Sequence, residues 1–322
     1  MSKHWPRQLG VHLTEHSLRV VEIVGGGTVV HSWGRIALPR PLPLMKKDRS
    51  IPELADAFKA ALQSTKPRPA RPGEAVLTIG DEDVFSKVVT MPKMDLAQAR
   101  EAAPHELESD LPLKAESMYV DVSVLKILPD QPQMEAMVFA MNRGLVDWFL
   151  EAADAIRLPL VAIETASLSL GRLYQAKQQS YITVDIGSNF ASIAIFANDL
   201  IHVSNSVSLQ DPAWEKALAA QELAFGPNDL ATQFNIFLTN LTEKIIASLR
   251  FYQNRVPNAA PIEKVFLSGS GARMPHLDTV LAQYLQLPVV IGQPVGVTCK
   301  GKQVCDTSYL AAIGAGIREK DE

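Results

Sequence analysis

The sequence predicts an α/β protein built as two lobes, and three observations carry that reading. The chain has 322 residues, more than the roughly 100–200 of a usual single domain. QLGVHLTEHSLRVVEI at 8–23 and YITVDIGSNFASIAIF at 181–196 share one pattern. Each alternates apolar residues on both sides of a four-residue polar turn, as an internally duplicated hairpin core does. Between them, from residue 82, a strand–helix–strand–strand–helix order makes an insert of about 75 residues.

In chain order, LGVHL, LRVVEIV and TVVHSWGRIAL read as a three-stranded meander. Gly25 to Gly27 form a hairpin turn there: the run that follows is β-like, so no helix opens on a phosphate. The proline-rich stretch 39–50 connects to a helix at IPELADAFKAALQS, with Pro52 in its first turn. KPRPARPG is a loop and EAVLTIG a buried-type strand. In the insert, DVFSKVVTMP, SMYVDVSVLKIL and EAMVFAMN are strands, DLAQAREAAPHELES a helix around Pro104, and RGLVDWFLEAADAI a second helix. LVAIETASLSLGRLY leads from strand to helix. After the second hairpin come a helix-rich stretch at about 211–255, the strand KVFLSGS, the helix PHLDTVLAQYL, the strand PVVIG and a last helix near TSYLAAIGAGI.

Hydrophobic residues make up 47% and charged residues 20%, a globular composition. Lys and Arg total 31 against 35 Asp and Glu, a net charge of −4, and no basic-aromatic stripe occurs, so nucleic acid is not an expected partner. The mean hydropathy of +0.05 is slightly apolar, which suits a hydrophobic surface kept for a partner. MSKHWPRQLGVHL lacks a signal-peptide pattern and no window approaches the ~20 apolar residues of a membrane helix; the expected place is the cytoplasm, without direct membrane insertion. Cys299 and Cys305 are expected to be reduced thiols. His12 and His16 stand four apart in a strand–turn–strand, share no helix face, and are expected at the surface. No G-x-S-x-G, G-x-x-x-x-G-K-[ST] or H-E-x-x-H motif is present, and no catalytic or metal-ligating set is assigned.

VDIGSNFASIAIF, KVFLSGSGARMPHLDTVLAQYLQLPVVIGQP and SYLAAIGAGIRE follow in the order seen in actin, sugar kinases and heat-shock chaperone ATPases, and the chain resembles that superfamily over nearly its whole length. VVTMPKMDLAQAREAAPHELESDLPLKAESMYVDVSVL is similar to the extra subdomain of FtsA and, more closely, of the PilM-like family of type IV pilus assembly proteins. The resemblance implies a two-lobed actin-like (ribonuclease-H-like) α/β fold. The first lobe would span 1–180, carry the extra subdomain at 82–158 and be completed by a helix at 306–318; the second would span 181–305.

It also implies a nucleotide between the lobes, with two hairpin turns on the phosphates and a Gly-rich turn by the adenosine. Such turns bring backbone N–H groups to phosphate oxygens, while a D-x-G aspartate holds a Mg²⁺-bound water. Carried over by residue, the second phosphate turn is Asp185, Ile186, Gly187, Ser188 and Asn189, and the adenosine turn is Gly269, Ser270, Gly271 and Ala272; Ser248 also fits. The first phosphate turn departs: His12 and Thr14 replace Asp and Gly, and Glu15 and His16 follow. Lys244 and Ala247 stand where the superfamily tends to carry Glu and Arg. Because Glu15 would repel a polyanion, ATP and Mg²⁺ are expected to bind weakly or not at all, without useful hydrolysis. Glu164 reads either as a water-positioning carboxylate or as an acid complementing a helix N-terminus.

What the PilM-like resemblance implies is a cytoplasmic scaffold of type IV, or related mannose-sensitive, pilus assembly. Its partner would be the N-terminal cytoplasmic peptide of a PilN-like inner-membrane protein, seated between the first lobe and the insert. Self-association carries no motif and stays open. The alternatives are an ATP-binding actin-like ATPase, and a type II secretion protein of the kind that continues into a membrane helix where this chain ends at IGAGIREKDE.

Overall fold

The computed structural model describes residues 7–24, 29–39, 49–107, 115–127, 132–174, 180–209, 214, 218, 234–256, 258–300 and 305–319. Gly25 to Gly27, most of the proline-rich stretch 39–50 and most of 211–233 lie outside them.

The meander is present as β1 (Gln8–Thr14), β2 (Ser17–Val24) and β3 (Val29–Ala37), followed by α1 (Ile51–Ser64) and β4 (Glu74–Ile79). Ser50 caps α1, its Oγ accepting from the Glu53 N–H at 3.3 Å. The insert contributes β5 (Phe85–Pro92), α2 (Leu96–Leu107), β6 (Met118–Ile127) and β7 (Gln133–Asn142). Then come α3 (Arg143–Ala155), β8 (Leu160–Thr165) and α4 (Ala166–Tyr174). The second hairpin is β9 (Tyr181–Ile186), β10 (Phe190–Ala197) and β11 (Leu200–Ser208). It leads to α5 (Asn235–Arg255), β12 (Lys264–Ser268), α6 (Leu277–Leu285), β13 (Val289–Ile291), β14 (Thr298–Cys299) and α7 (Leu310–Gly316).

These strands form three sheets, ordered β14-β3-β2-β1-β4-β8, β11-β10-β9-β12-β13 and β5-β7-β6. The duplicated hairpins therefore lie at the middle of two separate sheets. In the first sheet Leu9, Val11, Leu13 and Leu77 face a core shared with α1 and α3, while Val21 and Ile23 face α4 and α7. In the second sheet Ile182, Val184 and Ile186 face a core shared with α5 and α6, while Tyr181 and Phe196 again face α4 and α7. Both sheets are thus covered on both faces, and the helix pair α4–α7 lies between them.

Small residues let that pair approach closely. A Cβ at Gly10 would run into the Ala312 carbonyl oxygen, and one at Gly314 into the Ser169 carbonyl oxygen. This is the packing reason for the alanine–glycine run of the last helix.

Two elements sit differently from the sequence reading. α3, read as the closing helix of the insert, packs Leu145, Trp148, Phe149 and Ala152 into the first-lobe core beside α1. The insert's own core, from Val89, Met91, Ala99, Leu107, Met118, Met134 and Val138, needs only β5, α2, β6 and β7. Thr298 and Cys299, though late in the chain, pair with Val29 and Val30 of β3.

Cys299 and Cys305 form a disulfide, which corrects the expectation of reduced thiols. The β14–β3 pairing fixes Cys299, and the Gln293 side chain bonds both the N–H (3.1 Å) and the carbonyl (3.3 Å) of Cys305. The two Cα atoms are thereby held 5.7 Å apart, within disulfide reach.

The insert also touches the second sheet's lobe. Ser86 Oγ of β5 donates to the Ser204 carbonyl at 3.2 Å, and Arg255 donates to the Val88 carbonyl at 3.3 Å. No helix among the described residues is long and apolar enough to cross a membrane.

Candidate functional site

Two concave sites stand out. The first is a cleft of about 450 Å³ between the two sheets, at the open end of the α4–α7 pair. It is lined from one side by His12, Thr14, His16, Ser17, Arg19 and Arg35, and from the other by Asp185, Gly187, Ser188, Asn189, Gly269, Ser270 and Arg273. β9 and β12 run parallel and lead into it through Ile186 and Gly269, the usual place for a ligand in an α/β sheet.

Seven of the ten residues carried over from the resemblance are therefore brought together. Gly269, at φ +83°, has its N–H on the Thr307 carbonyl at 3.1 Å. A Cβ there would strike the backbone of Ile186, so only glycine fits. Gly271 lies beneath the cleft, packed against Ile186 and Trp214. Ser248 is not in the cleft: it is buried on α5, where its Oγ accepts from Asn205 Nδ2 at 3.1 Å.

Asp185 accepts from Ser268 Oγ at 2.8 Å. Burial pushes its carboxyl above the usual range, while Ser268 and the Arg19 charge pull it down. The turn of β1–β2 is closed by its own side chains: Thr14 Oγ1 accepts from the Ser17 N–H at 3.2 Å and donates to the Ser17 carbonyl at 3.1 Å. Across the cleft, Asn189 Nδ2 donates to Glu15 Oε2 at 2.8 Å. The two turns that would clasp phosphates are thus tied to each other.

His12 corrects the surface expectation. It is 4% exposed and lines the cleft, because its place on β1 turns it to the α4–α7 face with Gly10. Burial first, then the Arg19 charge, hold it near pKa 3, so it is neutral. His16 alone remains exposed, at 45% of its side chain.

A smaller recess behind Thr14 is lined by Glu15, Glu82 and Asp185, and Asp81 and Asp83 flank Glu82 in the chain. Burial pushes Asp81 up to about 6 although Ser167 and Ser204 donate to it. Glu82 is pushed up to about 8 and Asp83 to about 6, again chiefly by burial. Glu164, just ahead of α4, lines neither the cleft nor this recess. It is buried and paired with Arg172 at 2.9 Å and Arg318 at 2.7 Å; burial opposes ionisation, but Arg172 and then Arg318 hold its pKa below the usual range. No metal-binding group of His, Cys, Asp and Glu occurs among the described residues.

The second site is an apolar groove of about 410 Å³ between the first lobe and the insert. All six residues of β8, Leu160 to Thr165, line it, as do Tyr119, Val120 and Asp121 of β6. Consecutive residues on both faces reach the groove because it meets strand edges: β8 ends the first sheet and β6 ends the insert's sheet. Val161, Tyr119 and Leu150 are large apolar groups left 57%, 41% and 37% exposed there.

No family model matches the chain, and no curated protein matches it. Among solved structures it matches a PilM–PilN type IV pilus biogenesis complex with a TM-score of 0.79, at 22% identity, over 97% of this chain and 99% of that chain. The chain has the actin-like fold of PilM. It also matches MreB 5 of Spiroplasma citri, solved bound to AMPPNP (TM-score 0.51, 12% identity, 98% and 96% covered). The ethanolamine utilization protein EutJ of Carboxydothermus hydrogenoformans is similar too (0.53, 10%, 98% and 90%). The fit to PilM runs through the insert as well as both sheets, so the FtsA/PilM-type subdomain is part of the shared fold.

Three features escaped the sequence reading: the buried Arg19, the rim arginines Arg35 and Arg273, and the carboxylates of residues 81–83. Arg19 and Arg35 lie 16 positions apart, and only hairpin register brings them together.

Proposed function

We propose that this chain is an assembly scaffold of a type IV pilus system that takes up the N-terminal cytoplasmic peptide of a PilN-like inner-membrane protein. The groove between β8 and β6 carries the reading. Two strand edges facing one apolar channel offer unpaired backbone groups to an extended peptide and pockets to its alternate side chains. The likeness to PilM in a PilM–PilN complex supports the choice of partner. The scaffold would then be held at the membrane through that partner.

In this reading nucleotide is not required. The Glu15–Asn189 bond occupies the gap between the phosphate turns and puts the Glu15 carboxylate there. ATP with Mg²⁺ would bind weakly and not be turned over. Asp185 would be the residue to orient a metal-bound water, and Gly187, Ser188, Gly269 and Ser270 would supply backbone contacts.

The test is calorimetry with a synthetic peptide of the PilN-like partner. Low-micromolar affinity or better, roughly −8 kcal/mol, is expected for the whole chain, with at least a tenfold loss for Val161→Asp and for Tyr119→Asp. Wild-type affinity in both folded variants would refute the groove. Sub-micromolar Mg-ATP binding that vanishes in Asp185→Ala would replace the scaffold by an ATP-gated one.

A further inference from the structure

The Cys299–Cys305 disulfide joins a weakly held strand to a firmly held segment. β14 is two residues long and is the outermost strand of the first sheet. It lies on β3 through Thr298 and Cys299, opposite Val29 and Val30, and the Lys300 N–H donates to the Val30 carbonyl at 3.1 Å. So short a pairing is a poor hold by itself. Cys305 is fixed independently of the disulfide. Gln293 bonds its N–H and its carbonyl. Two residues on, the Thr307 carbonyl accepts from the Gly269 N–H at 3.1 Å, and Thr307 Oγ1 donates to the Gly269 carbonyl at 2.9 Å. The sulfur bridge therefore acts as a strap that keeps β14 in place.

Chain entropy is a poor reason for such a bridge. The cysteines are six positions apart, and a disulfide stabilises less the shorter the loop it closes. Its setting is that of a reactive thiol. Both cysteines are buried, but Thr298 and Lys300, on either side of Cys299, are exposed at the margin of the sheet. The charges that reach His31, next to Val30 in β3, are three cations, Arg68, Lys300 and Arg7, and one carboxylate, Glu22. Positive surroundings favour a thiolate, and a thiol of low pKa is the better leaving group in exchange. The chain has two cysteines in all, so exchange within it can form one bridge and no other.

We propose that Cys299 and Cys305 form a reversible redox site, opened by a protein dithiol of the thioredoxin class and closed by oxidised glutathione, and that opening it releases β14 from the edge of β3. A thiolate of the dithiol attacks the Cys305 sulfur, the S–S bond breaks, and Cys299 leaves as a thiolate beside Lys300 and takes up a proton. The second thiol of the dithiol attacks its own sulfur in the mixed disulfide and frees Cys305, which takes up the other proton. The chain gains two electrons and two protons, and the dithiol leaves as a disulfide. Closing reverses this exchange, with oxidised glutathione taking the two electrons. Once β14 is released, the backbone of Val29 and Val30 opens at the outer margin of the first sheet. The inference rests on the scaffold reading in one respect: that reading puts the chain on the cytoplasmic side, where disulfides are transient and redox-sensing.

Thiol counting on the native chain, by mass after maleimide labelling, is the first test. Thioredoxin with its reductase and NADPH, in the absence of denaturant, is expected to open both cysteines to the label, and oxidised glutathione to close both. Lys300→Glu should slow the reduction roughly fivefold at an unchanged melting temperature, and Lys300→Arg should restore the rate. Hydrogen exchange reads the strand. On reduction the Lys300 amide should exchange about tenfold faster, while the Cys305 and Gly269 amides stay as they were. The double variant Cys299→Ser with Cys305→Ser should exchange like the reduced wild type. Thiols that react only in urea, a wild-type reduction rate in Lys300→Glu, or an unchanged Lys300 amide in the reduced chain overturns the proposal. Reversible opening in a chain that binds no PilN-like peptide in either state supports the redox site and removes the scaffold reading. Peptide binding by a chain that never opens overturns the redox site alone.

Discussion

Asn189 and Glu15 join the two duplicated hairpins across the cleft, the Asn189 amide donating to the Glu15 carboxylate at 2.8 Å. Each residue sits at the tip of its own turn, so one side-chain bond links the ends of two sheets whose main contact is the α4–α7 pair. The bond is half exposed at Glu15, 31% of whose side chain is open, so its contribution is modest.

Asn189→Ala should cost about 1 kcal/mol or less while loosening the cleft. Hydrogen exchange is the measurement. Amides of the Thr14–Ser17 and Gly187–Phe190 turns should exchange faster, with those of β1 and β9 unchanged.

Glu164→Gln should be costly, because it leaves Arg172 and Arg318 without their carboxylate in a buried setting; about 3–5 kcal/mol is expected from urea unfolding. The pH dependence has a definite sign. The Glu164 pKa is held below its unfolded value, so its contribution is present above the ordinary carboxylate range and is lost as pH falls through the folded pKa. The acid limb of stability below about pH 4.5 should therefore be shallower in the variant.

Glu82→Gln should act the other way. Its folded pKa, near 8, lies above the unfolded value, so the stability it contributes is present at low pH and disappears as pH rises through 8. The variant should gain about 2 kcal/mol over wild type at pH 9, roughly 4–8 °C in melting temperature, and little at pH 4. Equal melting temperatures at pH 9 would remove the buried-acid reading of this recess.

Gly10→Ala should destabilise by about 3 kcal/mol, since the added methyl meets the Ala312 backbone carbonyl rather than a movable side chain. The urea midpoint checks this. Gly296→Ala, at a place with open space but φ +73°, separates backbone strain from overpacking and should cost about 1 kcal/mol.

How far the sequence could be read depended on whether an element's surroundings were local. The alternation of β1–β2 and β9–β10, and the Pro52 and Gly187 signals, were legible because strands and turns are specified by neighbours in the chain. The owner of α3 was not. Its apolar stripe of Leu145, Trp148 and Phe149 fits any sheet, and only the folded chain shows it beside α1. Asp185 and Gly269 could be found as motif positions, whereas Arg19 looked like one more alternating polar residue of a hairpin. Its meaning comes from His12 and Arg35 standing beside it. The cysteines were misread because the Gln293 clamp and the β14–β3 pairing are distant in sequence from the spacing of the pair itself.

The insert's three strands are ordered β5-β7-β6, with β5 against the second lobe through Ser86 and Val88 and β6 at the groove. One small sheet, about 10 Å across at the usual strand spacing, is therefore fastened at one margin to the lobe that carries Asp185 and forms at its other margin one bank of the apolar groove. The opposite bank, β8, belongs to the lobe that carries Arg19. A change of angle between the lobes would therefore reach the groove through the Ser86 and Arg255 bonds.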